Sequence, residues 1–214
     1  NAVTAYQRSL ALDPTQIETY IALRNQLRQQ GGRPEALNGL LEAMLARNAG
    51  AASLTIDLGD QRQRVGDTHG AIEAYGEALI KLTALDSTVG LRPLSTSGSQ
   101  ALVHARLAGL YEDAGQIDLA MNYYQAAVGA APDVAWPRVL LGDALRRRGE
   151  PDAAEASYRA AIDHDPDQAE GYMRLADLLF ALGRAGEASE YSQKIPSLAL
   201  ARLEQALGVR TAGS

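Results

Sequence analysis

Ala101 to Val134 reads ALVHARLAGLYEDAGQIDLAMNYYQAAVGAAPDV, and Ala135 to Gln168 reads AWPRVLLGDALRRRGEPDAAEASYRAAIDHDPDQ. The second stretch repeats the first at an offset of 34 residues. Leu107 falls on Leu141, Gly115 on Gly149, Ala120 on Ala154, Tyr124 on Tyr158, Ala127 on Ala161 and Pro132 on Pro166. From Ala169 a third copy continues with Leu175, Ala176, Gly183 and Ala188. A fixed period of this length marks a chain built from copies of one supersecondary unit.

The unit itself follows from hydrophobic spacing. Each copy holds two amphipathic stretches of about 12 residues with apolar positions three and four apart, the pattern of a helix with one buried face. Ala114-Gly115-Gln116 interrupts the first copy between its two helices, because glycine ends a helical run readily. Pro132 and Pro166 stop the second helices, since proline lacks the amide proton a helix interior needs. Small residues at Ala108, Gly142 and Ala176 face Ala120, Ala154 and Ala188, so the two helix backbones of a copy approach closely. Tyr124 and Tyr158 are expected to fill the gap to the neighbouring copy. A single hairpin cannot cover its own apolar face, so the copies must stack.

The same register appears upstream. Residues 17–50 carry Tyr20, Leu23, Gly31 and Ala36, and residues 52–85 carry Leu58, Gly66, Ala71, Tyr75 and Ala78. Ala2, Tyr6 and the run Leu10 to Pro14 match only the second half of a copy. The period and these residue choices resemble the tetratricopeptide repeat over nearly the whole chain. The resemblance implies an all-α, right-handed α-solenoid of helical hairpins. The expected plan is an upstream block over 1–85 (half repeat 1–16, repeats 17–50 and 52–85) and a downstream block over 101–196. The downstream repeats are 101–134, 135–168 and 169–196, followed by a capping helix over 197–208 and a tail over 209–214. Ser197 serves as its N-cap, and Leu200, Leu203 and Leu207 share one face.

The register breaks over 86–100, where Ser, Thr, Gly and Pro dominate, and this stretch is expected to be an inserted loop. It reads as a hinge between blocks, as a partner-contacting loop or as a tolerated insertion. The first residues lie inside a repeat, which suggests a fragment of a longer protein and apolar surface open to self-association.

Composition narrows the function. The formal net charge is −6 and the pI about 5.1, against a chain that coats nucleic acid. Without cysteine there is neither a disulfide nor a thiolate metal site, and both cytoplasm and periplasm stay open. No apolar run approaches the roughly 20 residues that cross a bilayer. His69, His104 and His164 fall at unrelated repeat positions without metal-ligand spacing. His104 stands where the family has a large aromatic, a packing position. Phosphate-loop, dinucleotide and nucleophile-elbow motifs are absent, so neither catalysis nor a cofactor is expected.

In tetratricopeptide proteins the first helices of the hairpins line a concave groove that holds a partner peptide or helix. By register the resemblance places Asn25, Arg28 and Arg64 there upstream. Downstream it places Leu102, Trp136, Val139, Asp143, Arg146, Arg147, Met173, Asp177 and Phe180 there. Trp136 and Phe180 are the expected apolar anchors, with the arginines meeting acidic groups of the partner. Chaperone-tail-binding members use groove lysines and asparagines. Asn25 matches one such position, but Ile21 stands where a lysine is expected, which speaks against that function. The chain is therefore expected to be a non-enzymatic scaffold for a protein or peptide. The alternatives are a periplasmic solenoid element of an export or exopolysaccharide-secretion machine and a regulatory domain of a larger enzyme.

Overall fold

The computed structural model of the chain describes residues 2–13, 16–29, 41, 44–46, 51–89 and 94–195. Its regular structure there is helical, in the order α1 (Ala2–Leu12), α2 (Ile17–Gln29), α3 (Ala52–Arg64), α4 (Thr68–Val89), α5 (Leu94–Asp113), α6 (Ile117–Ala130), α7 (Trp136–Arg148), α8 (Pro151–His164) and α9 (Ala169–Ala181). Residues 185–195 form the partner helix of α9. Among the described residues no helix is long and apolar enough to cross a membrane. The expected capping helix over 197–208, the tail over 209–214 and most of the second helix of repeat 17–50 lie outside the described residues.

Among the described residues, four hairpins each turn on one glycine. Gly66, Gly115, Gly149 and Gly183 have φ of 79°, 74°, 83° and 77°, a left-handed conformation in which a Cβ would clash with the backbone. At Gly149 the amide bonds the Arg146 carbonyl at 3.1 Å and the next amide, Glu150, reaches back to Leu145 at 3.0 Å. The same pair of bonds closes the helix before each of the other three glycines. These bonds satisfy carbonyls that a helix C-terminus leaves open.

The chain divides into two compact units, 1–99 and 100–214, with the division inside α5. The upstream unit gathers Leu10, Tyr20, Leu23, Leu41, Met44 and Leu54 into one buried cluster. In the downstream unit α7 packs on α8, and α9 packs on both. Val139, Tyr158, Leu175, Leu178 and Leu179 form the core there. A second cluster joins Ala108, Ala120, Met121, Tyr124 and Ala144.

The expected loop over 86–100 is corrected at residues 86–89 and 94–100, which are helical. Helix α4 runs 22 residues to Val89 and α5 starts at Leu94 and runs 20, against 13 or 14 in α6 to α9. At 86–89 and 94–100 the extra residues lengthen the two helices. Ser and Thr cost a helix only a few tenths of a kcal/mol each, and extending an existing helix avoids the cost of nucleation.

Candidate protein-binding surface

The first helices of the downstream unit are α5, α7 and α9, and their side chains fall into three groups. Some expected groove residues belong to the core. Val139 is 4% exposed and packs with Ala135, Ala154 and Tyr158, so its assignment to the groove is corrected. The reason is the next first helix, α9, which supplies Leu175, Leu178 and Leu179 to the same cluster. Trp136 is half-buried against Ala101, Ala130 and Ala131 at the end of the preceding hairpin. Part of its indole is thus taken up by packing within the chain.

Other expected groove residues are held within the fold. The Tyr158 hydroxyl donates to Asp143 at 2.7 Å, and Arg174 lies 3.6 Å from the same carboxylate. Arg147 donates twice to Glu112, at 2.6 and 2.8 Å. Tyr124 adds a third bond to Glu112 at 2.9 Å. The bonds from Arg147, outweighing partial burial, hold the Glu112 carboxyl below its usual range. This linked set joins the hairpin over 101–134 to the next first helix. Beside it Glu112, Ile117, Met121, Tyr124 and Arg147 line a cavity of about 200 Å³.

The third group is open. Leu102, Arg146, Met173, Asp177 and Phe180 are exposed. Met173, Asp177 and Phe180 stand four and three residues apart on α9, which puts them on one face. Met173 is 44% and Phe180 72% exposed. Asp177 and Phe180 also line, with Ala176, Ala185, Ala188 and Ser192, a cavity of about 410 Å³ between α9 and the helix over 185–195. In the upstream unit Asn25 and Arg64 are exposed. Asn25 accepts hydrogen bonds from Arg24 at 3.1 and 3.3 Å, and the side chain of Arg28 lies outside those described.

Two features had no signal in the sequence. Asp57, buried in α3, pairs with Arg24 of α2, although acidic residues are expected on open faces. Glu155 receives Arg184 at 2.6 Å and Arg159 at 2.7 Å. Arg184 first and Arg159 second keep its carboxyl low. His104 lies 5.9 Å from the Tyr123 ring, and burial lowers its pKa. Among the described residues no group of three or more His, Asp or Glu is placed to hold a metal ion.

Residues 101–134 and 139–196 match tetratricopeptide repeat family models. The chain carries tetratricopeptide repeats. A crystal structure of BtubC (BKLC) from P. vanneervenii superposes with a TM-score of 0.70 at 16% identity, covering 100% of this chain and 91% of that one. YrrB, described as a tetratricopeptide protein with an unusual peptide-binding site, superposes with a TM-score of 0.55 at 18% identity, covering 91% and 92%. Both likenesses show the fold. In sequence, the chain is 37% identical over 83 residues to the cellulose synthase operon protein C of Xanthomonas axonopodis pv. citri (strain 306). That alignment takes in 39% of this chain and only 5% of the much longer relative. Tetratricopeptide repeats here support a protein-interaction scaffold.

Proposed function

We propose that this tetratricopeptide array holds a peptide, a helix or a protein surface on the first-helix face of its downstream unit. The observation that carries this reading is the open stripe Met173–Asp177–Phe180 on α9. Two large apolar side chains flank a carboxylate there, with the cationic Arg146 on the preceding first helix. Exposed aromatic and apolar anchors of this kind dominate binding energy at interfaces, often by about 2 kcal/mol each. Phe180 and Met173 carry the anchor role in this reading, because Trp136 is half-buried against its own chain.

A second reading places the array in an export or exopolysaccharide-secretion machine, as a spacer or assembly element. The stretch shared with a cellulose synthase operon protein C favours it. The two readings are compatible if the partner is another component of such a machine.

The test compares capture of a partner from the source organism by three tagged forms of the full chain. These are the wild type, Met173→Ala/Phe180→Ala, and Ile80→Ala as a control, since Ile80 is an equally exposed apolar residue in the upstream unit. A partner kept by the wild type and the control but lost by the double variant supports the α9 face. Equal retention by all three sinks it.

A further inference from the structure

Three repeats share a constellation that the last hairpin carries only in part. In 52–85, Gly59 is followed by Asp60, and Tyr75 lies over the glycine with its hydroxyl donating to Asp60 at 2.6 Å. In 135–168, Gly142 and Asp143 stand in the same places, with Tyr158 over the glycine and 2.7 Å from the acid. Repeat 101–134 has Ala108 and Tyr124, with the carboxylate moved one turn to Glu112 at 2.9 Å. The last hairpin keeps the small residue, Ala176, and the acid, Asp177, but the residue in register with the tyrosines is Ser192. The space beside Ala176 and Asp177 is the cavity of about 410 Å³, with Ala188 and Ser192 in its wall and Phe180 beside it.

We propose that this cavity binds the phenol side chain of a tyrosine presented by a partner polypeptide, and this rests on the reading of the α9 face as a partner-binding surface. The repeats themselves state the complementarity. An apolar floor of Ala176 and Ala188 takes a ring, Asp177 takes the hydroxyl proton, and Phe180 offers an aromatic edge or face. A phenylalanine or leucine would cover the floor and leave the carboxylate desolvated without a donor. An ammonium group would meet the carboxylate and leave the floor uncovered. Within the chain the competing occupant is the segment after Pro196, which contains no tyrosine.

The test is methyl NMR on the full alanine-labelled chain, titrated with N-acetyl-tyrosinamide and N-acetyl-phenylalaninamide. The Ala176 and Ala188 methyls should shift with the tyrosine probe, which should bind roughly tenfold more tightly than the phenylalanine probe. Asp177→Ala, a change at an exposed side chain that removes the acceptor, should erase that preference. Ser192→Tyr should supply the ring in cis and abolish the shifts. Equal affinity for the two probes, or shifts that survive Ser192→Tyr, would overturn the proposal. Binding seen only after deletion of residues 197–214 would overturn it too, by naming the chain's own end as the occupant. A partner lost by Met173→Ala/Phe180→Ala yet retained by Ser192→Tyr would remove the phenol pocket and leave the binding face standing.

Discussion

The ring of Tyr158 lies where a Cβ on Gly142 would have to be, with its Cε1 2.5 Å from that ideal position. The glycine is thus a seat for the ring, and Tyr75 sits on Gly59 at the same 2.5 Å. In these two repeats the closest approach of the two helices is set by an aromatic face on bare backbone.

Gly142→Ala should therefore destabilise the downstream unit although alanine favours helix. The helix-propensity gain of about 1 kcal/mol is outweighed by overpacking, typically about 1–3 kcal/mol. A lowered thermal midpoint, restored in part by Gly142→Ala/Tyr158→Leu, checks this.

Alkaline pH should loosen the downstream unit. Burial, with help from the bond to Glu112, pushes the Tyr124 phenol up to about 12, and burial raises Tyr158 further still. A raised pKa means the folded state keeps protons that the unfolded state releases. That stability is fully present below the ordinary phenol pKa of about 10 and is lost as pH rises through 12. Denaturant midpoints measured from pH 9 to 11.5 should fall, and Tyr124→Phe should flatten the slope.

Asp57→Ala should cost more than a surface ion pair would. Asp57 is 6% exposed, and removing it leaves the half-buried Arg24 guanidinium without its carboxylate. Breaking such a pair typically costs about 3–5 kcal/mol. The double change Arg24→Met/Asp57→Leu should recover most of the loss, which equilibrium unfolding in urea can quantify.

Gln61→Leu should stabilise the upstream unit. Gln61 is 2% exposed, and neither polar atom of its side chain has a hydrogen-bond partner. Leu110 and Leu178 occupy the same register position in other copies. A buried unpaired polar group costs about 1–3 kcal/mol, so the midpoint should rise. A fall would mean that the amide has a structural role of its own.

The fold was legible because a 34-residue period repeats the whole hairpin, including its turn glycine and closing proline. The site was only partly legible, and Val139 and Met173 show why. They occupy the same register position on successive first helices, yet one is 4% and the other 44% exposed. Periodicity assigns a residue to a face, but the helix that follows decides whether that face is covered. The Arg24–Asp57 pair failed for another reason: it does not recur in the other copies, so no repeat-based reading points to it. At 86–100 the composition suggested a break, but helix extension from both sides carried the chain through most of it.

The turn glycines bear on how the chain acquires its structure. Each places two helices side by side within one short stretch, and even the wider-spaced bonds, Arg24 to Asp57 and Arg147 to Glu112, join residues 33 and 35 apart. A chain whose side-chain hydrogen bonds, among the described residues, span at most about one period has little search to perform. It can assemble hairpin by hairpin from whichever nucleates first, and such local topology favours fast folding. Damage to one hairpin should stay confined to its neighbours, so unfolding should proceed in stages along the array.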